Sequence, residues 1–250
     1  MRQVQLTPSQ KDGTLCNHEI ALGTPMAANE LFDEWPDKYD RWFKTPIGLL
    51  VKEYERNLIL DLLAPCPGEL ILDAGCGTGV FTLDILSQRS MIVGLDLSLP
   101  MLRHARERMR ERSFCPIWAD MSNLPFHDQS FHKAVSITAL EFIPDGRTAV
   151  AELFRVTKRG GVIVVATLNS LSPWAIRRNE EAKKGHPIFS RAIFRSPEDL
   201  RALAPMEGVI RTAIHFPKEA SPEEAVRVEL DGAAKGSQTG AFVAVRWKKP

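Results

Sequence analysis

The 250-residue sequence has no surplus of either charge: 32 Lys and Arg stand against 31 Asp and Glu, a formal net charge of +1. A chain that tracks phosphate backbones normally carries a clear basic excess, so nucleic acid is not the expected partner. Cysteine is scarce as well. Cys16, Cys66, Cys76 and Cys115 form no C-x-x-C pair and lie at no finger spacing from a histidine, so no metal is expected. Free thiols in a reducing cytoplasm are the natural expectation. No apolar run approaches the length of a membrane span. Residues 1–29 lack the sustained apolar core of a signal peptide. What is present, 44% apolar and 25% charged residues, is the make-up of an ordinary globule with enough chain to bury a sizeable core.

Three regions follow from the pattern. Residues 1–27 are polar, with scattered Gly and Pro and no period, and read as a poorly ordered arm. Residues 28–67 read as a helical lid or cap. Its aromatic cluster of Phe32, Trp35, Tyr39, Trp42 and Phe43 is broken by Pro36. Thr45-Pro46 then opens a helix with Leu50, Tyr54, Leu58 and Leu62 spaced by four, and Pro65, Pro67 and Gly68 stop it.

Residues 68–250 form one α/β domain. Strands expected at 70–73, 91–96, 115–119, 132–137 and 161–168 alternate with helices at 80–87, 100–112 and 147–156, the grammar of a parallel sheet with crossovers. Ser196-Pro197-Glu198-Asp199 opens a short capped helix, and 209–216 with 241–247 suggests a final antiparallel pair joined by a long polar excursion.

The densest signal is Ile71-Leu72-Asp73-Ala74-Gly75-Cys76-Gly77-Thr78-Gly79. An apolar strand ends in an acid, and glycines at every second position leave a turn whose main chain a ligand can approach. Open parallel sheets bind ligands beyond the carboxyl ends of their strands. The second strand ends at Asp96 and Leu97, at the place where an acid meets a ribose diol; capping of the next helix is the rival reading, and Ser98 competes for that job. The third ends in Asp120-Met121, suited to an adenine edge or to a plain turn. The fourth ends at Thr138, with Glu141 just beyond it. Cys76 reads as a small filler rather than a nucleophile.

These pieces resemble the class I S-adenosylmethionine (SAM)-dependent methyltransferases, of the broad type 11 group that includes the menaquinone and ubiquinone C-methyltransferases. The likeness rests on LDAGCGTG at 72–79, VGLDLS at 93–98, ADMSNLPF at 119–126, SFHKAVSITALEFIPD at 130–145 and the RVTKRGG run at 155–161. It implies a Rossmann-like, seven-stranded, mostly parallel sheet with one reversed strand and helices on both faces. SAM, leaving as S-adenosylhomocysteine (SAH), would lie against Asp73, Gly75, Cys76, Gly77, Gly79, Asp96, Leu97, Asp120, Met121 and Thr138. The Asn/Asp-Pro-Pro-Tyr/Phe turn of the adenine and glutamine amino-group enzymes is replaced here by Thr138-Ala139-Leu140-Glu141, and the glycine spacing differs from that of dinucleotide enzymes.

The expected activity is methyl transfer to a small molecule. The alternatives are a SAM-binding protein without catalysis and an enzyme acting on a macromolecule. Tyr39, Trp42, Asn169 and Trp174 are the residues expected to meet the acceptor, and Glu141 is the best-placed base by topology. Six basic residues between 177 and 195 read as a solvated face or as an anionic acceptor's landing site. Acceptor identity and oligomeric state have no signature in the sequence.

Overall fold

The computed structural model describes residues 21–22 and 30–250. The expected arm at 1–27 lies outside the described residues except for the pair Ala21–Leu22.

β-Branched and leucine-rich runs make the central strands, which are buried on both faces. The strands are β1 (Ala21–Leu22), β2 (Leu70–Ala74), β3 (Met91–Asp96), β4 (Phe114–Trp118), β5 (Phe131–Ile137), β6 (Thr157–Leu168), β7 (Val209–Ala213) and β8 (Phe242–Lys248). Their order is β1-β4-β3-β2-β5-β6-β8-β7, with β8 antiparallel to both neighbours and the others parallel. The seven-stranded sheet with one reversed strand is therefore present, and the two-residue β1 extends its edge.

The helices are α1 (Pro36–Trp42), α2 (Pro46–Leu63), α3 (Thr82–Leu86), α4 (Leu99–Arg108), α5 (Gly146–Val156), α6 (Pro173–Lys183), α7 (Pro197–Arg201) and α8 (Pro222–Ala234). α3 and α4 are shorter than the expected 80–87 and 100–112. α6 and α8 occupy segments where no helix was expected. Each opens on a Ser-Pro pair whose hydroxyl accepts from a first-turn N–H, Ser172 from Ala175 and Ser221 from Glu224. Pro at the first helical position is pre-set for the helix and lacks only an N–H that would have no partner there.

Alternation along the strands feeds two cores. Ile71, Ile92, Val162 and Val164 pack with α2 through Val51, Leu58, Ile59, Leu62 and Leu63. Leu72, Val93, Ile163 and Val165 pack with Val150 and Leu153 of α5 and with Leu200 of α7. The sheet is thus clamped from both sides, which leaves its carboxyl edge as a place for a ligand.

The thiol expectation needs one correction. Cys66 and Cys76 are free, but Cys115 is disulfide-bonded, so the argument from free thiols to a reducing compartment does not hold at that position. Among the described residues no helix is long and apolar enough to cross a membrane, and no His, Cys, Asp and Glu group is arranged to hold a metal ion.

Candidate functional site

A cavity of about 1180 Å³, part of it open to solvent, lies along the carboxyl ends of β2, β3, β4 and β5. Ligand pockets generally fall within about 300–1,000 Å³ of enclosed space, so a nucleoside-sized guest fits. Its lining contains three carboxylates, from Asp73, Asp96 and Asp120, and no Lys, Arg or His among the described residues.

Asp73 ends β2 almost fully buried. Its Oδ2 accepts from the Thr82 hydroxyl at 2.6 Å, while Oδ1 is buried with no partner. Burial pushes its pKa up to about 7, with the Thr82 bond pulling down and Asp96 adding to the rise. A buried acceptor left alone costs about 1–3 kcal/mol, so a ligand donor at Oδ1 offsets a standing penalty.

The glycines divide by function. Gly75 and Gly77 line the cavity with φ of +81° and +55°. Gly75 N–H donates to the Leu95 carbonyl at 2.7 Å, and Gly77 N–H to Asp96 Oδ2 at 2.8 Å. Gly79 is absent from the lining; a Cβ there would meet Met109 Cε at 2.5 Å and Ala105 Cβ at 3.3 Å, so this glycine admits α4. Cys76 lines the cavity, but burial, with Asp73 and Asp96 nearby, holds its thiol well above the usual range. A thiol kept protonated makes a poor nucleophile, consistent with a filler.

Asp96 lines the cavity at the end of β3, followed by Leu97. Its Oδ1 accepts from Ser98 N–H at 2.9 Å, and Oδ2 takes the Gly77 bond. An ionised carboxylate has about four acceptor positions, so two remain for a diol. Capping belongs to Ser98, whose Oγ accepts from Met101 N–H. Asp120 and Met121 line the far end, where Asp120 Oδ1 accepts from Ser122 N–H at 2.8 Å and fixes the turn. Thr138 closes β5 at φ +47°, a conformation unusual for a β-branched residue and one that costs on the order of 1–3 kcal/mol.

Of the residues expected at the acceptor, Tyr39 lines the cavity from α1, joined by Phe32 and Phe142, whose rings meet edge-on at 4.7 Å. Trp42 lies off the lining, with its ring edge-on to Phe43 at 4.7 Å. Asn169 is fully buried, and its amide donates to Gln238 and Gly240 carbonyls, both at 2.8 Å. Trp174 is buried with its indole N–H on the Phe216 carbonyl at 2.7 Å. Neither Asn169 nor Trp174 lines the cavity.

Glu141 also stands outside the lining, fully buried in a short 3₁₀ turn, with Oε1 accepting from Leu168 N–H at 2.7 Å. Its Oε2 has no partner. Near it is a group that the sequence reading passed over: Glu55, in the middle of the buried face of α2 between Val51 and Ile59. A carboxylate four residues from each of two core positions was the available signal.

Residues 72–165 match the family model described as a methyltransferase domain. A malonyl-[acyl-carrier protein] O-methyltransferase of Salmonella typhimurium is 35% identical over 118 residues, 47% of this chain and 46% of that one. A demethylmenaquinone methyltransferase of Mycobacterium marinum is 27% identical over 228 residues, 90% of this chain and 88% of that one. The chain spans about half the length of several of the curated relatives it matches. Among solved structures, a SAM-dependent methyltransferase of Thermotoga maritima, described as a possible histamine N-methyltransferase, superposes with a TM-score of 0.65 at 24% identity. That match covers 90% of this chain and all of the other. A geranyl diphosphate methyltransferase solved with SAM gives 0.55 at 22% identity over 78% of this chain and 84% of that one. At these identities the structural likeness establishes the fold.

Proposed function

We propose that this chain, whose residues 72–165 are a methyltransferase domain, is a SAM-dependent enzyme that methylates a small molecule. The observation that carries the reading is a cavity at successive strand ends with three carboxylates and, among the described residues, no basic side chain. Such a lining repels phosphates, which disfavours dinucleotides, and suits a cationic nucleoside.

The residues fit the cofactor. Asp96 has acceptor positions left for the ribose hydroxyls. The partnerless Oδ1 of Asp73 suits an amino group, and Gly77, with nothing within 4 Å of an added Cβ, leaves the main chain there open to the same ligand. Asp120 and Met121 flank the place for the base. When bound, SAM supplies an activated methyl group, so the protein's task is to align an acceptor and exclude water. Positioning of this kind is worth on the order of 7–11 kcal/mol.

Phe32, Tyr39 and Phe142 give the cavity an aromatic stretch of lining, which favours a small, partly apolar acceptor over an extended strand. The relatives named above differ in the acceptors their names record, a carrier-bound acid in one and a quinone in another, so those names assign no acceptor here.

Calorimetry with SAH is the test. Asp96→Ala should weaken binding roughly tenfold to a hundredfold, since hydrogen bonds to a charged group contribute about 1.5–3 kcal/mol. An unchanged dissociation constant would remove Asp96 from the site. No heat with SAM or SAH, in a folded protein, would overturn the reading as a whole. Binding without turnover across an acceptor panel would favour the non-catalytic alternative.

A further inference from the structure

Two rings of the cavity lining, Phe32 and Tyr39, come from the segment ahead of the sheet, and each is followed directly by an acid, Asp33 and Asp40. Both acids reach a buried hydroxyl beside a residue of the candidate cofactor site. Asp40 Oδ1 accepts from Thr78 Oγ1 at 2.7 Å, and Asp33 Oδ1 accepts from Ser98 Oγ at 2.7 Å. Thr78 is fully buried and Ser98 is 2% exposed. Arg108 of α4 completes the first grip, pairing with Asp40 Oδ2 and donating to Thr78 Oγ1 at 3.4 Å.

The two hydroxyls are joined to each other through Asp96. Thr78 stands between Gly77 and Gly79, at φ +55° and +76°, in a turn where glycine leaves the main chain freedom to adjust. Gly77 N–H donates to Asp96 Oδ2, and Ser98 N–H donates to Asp96 Oδ1. A continuous path therefore runs from Asp40 through Thr78, Gly77, Asp96 and Ser98 to Asp33. Hydrogen bonds weaken steeply as they lengthen or bend, so both grips depend on where these two loops stand. The apolar packing of Tyr39 and Trp42 on the core is non-directional and carries no such dependence.

Resting on the methyltransferase reading, we infer that Asp33 and Asp40 are positioning residues that tie Phe32 and Tyr39 to the cofactor loops, so that the bound cofactor sets the aromatic wall offered to the acceptor. A ligand held by Gly77 and Asp96 fixes Thr78 and Ser98 together and strengthens both grips. Linkage makes the effect reciprocal: the grips raise cofactor affinity by the factor by which the cofactor stabilises them. The acceptor then meets its finished wall only when the methyl donor is already in place.

The test uses the full chain with SAH as the probe. It reads SAH affinity by calorimetry and amide exchange of residues 31–43 with and without SAH. In the parent, SAH should slow that exchange. Asp40→Ala and Thr78→Val should each weaken SAH about five- to tenfold. The double variant should be no weaker than either single one, because both changes break the same link. In all three, SAH should no longer slow exchange around Tyr39. Thr78→Ser keeps the hydroxyl and should restore both readouts, which a role in packing alone would not predict. Asp33→Ala reads the second grip with both cofactor loops unaltered, and exchange around Phe32 should lose its response to SAH. If Thr78→Val does not fold, Asp40→Ala and Asp33→Ala decide the matter by themselves. Additive losses, unchanged SAH affinity in Asp40→Ala, or slowing by SAH that persists in Asp40→Ala and Asp33→Ala would overturn the inference. A parent that binds SAH with variants that behave like it removes only this inference, whereas a folded parent that binds no SAH removes the function on which it rests.

Discussion

At Gly75 a Cβ would lie 2.2 Å from the Ala139 Cβ, and φ is +81°. At Gly77 φ is +55° and nothing stands within 4 Å of the added carbon. The two glycines line the same cavity, but a methyl group harms them through different terms. Gly75→Ala adds a clash with a buried neighbour to the conformational cost, so it should both lower stability and impair SAH binding. Gly77→Ala adds only the left-handed penalty, about 1 kcal/mol, and projects into ligand space. It should therefore keep nearly the parent melting temperature while weakening SAH, and calorimetry beside thermal melts would show the split. Equal melting temperatures for the two variants would refute it. The glycine loop and the acids at the strand ends were readable because a turn with φ > 0 and a ribose diol each demand one residue type. Glu55 was not, since a charged residue on a helix is ordinarily solvated and only the packing of α2 reveals that this one is enclosed.

At the scale of elements, the strands were legible because burial on both faces leaves a run of apolar residues. α6 and α8 were not, because their exposed faces dilute the helical period and only the Ser-Pro pairs mark their starts. α1 poses the dynamic question. It contributes Tyr39 to the cavity, packs Tyr39 and Trp42 against the core, and is also tied to the body by polar contacts. Asp40 takes the Thr78 hydroxyl at 2.7 Å and pairs with Arg108 of α4, while Ser98 donates to Asp33 at 2.7 Å. Part-exposed pairs of this kind contribute about 1 kcal/mol or less, weak enough to open without unfolding the sheet. We expect residues 35–48 to behave as a lid. Amide exchange there should slow when SAH binds, and Arg108→Ala should speed it in the free protein with little change in the melting temperature. Uniform protection with and without SAH would instead make the segment a fixed part of the core, as α2 is.

For the molecule as a whole, the buried acids set the dependence of stability on pH. Asp73, Asp96, Glu55 and Glu141 all have pKa values raised by burial, with Asp73 near 7 and Glu55 near 8. Between the ordinary carboxylate range and those values the folded state binds more protons than the unfolded chain, so stability falls as pH rises. His215 acts in the same direction. Its hydrogen bond and charge contact with Glu229 raise its pKa against burial, and that stabilisation is lost as pH climbs through the folded value. The acids with lowered values, Asp145, Glu152 and Asp199, have delivered their stabilisation once they ionise in the acidic range and change nothing further on the way up. The melting temperature should therefore be higher near about pH 5.5 than near about pH 8.5. Glu55 alone accounts for on the order of 2 kcal/mol of that difference, which for a chain of this length is roughly 4–8 °C. Glu55→Leu should remove this part, raising the melting temperature chiefly at the alkaline end, where the parent must hold a buried charge. A parent whose melting temperature climbs across that interval, or a variant that shifts both ends alike, would mean that Glu55 reaches solvent and ionises at the usual pH.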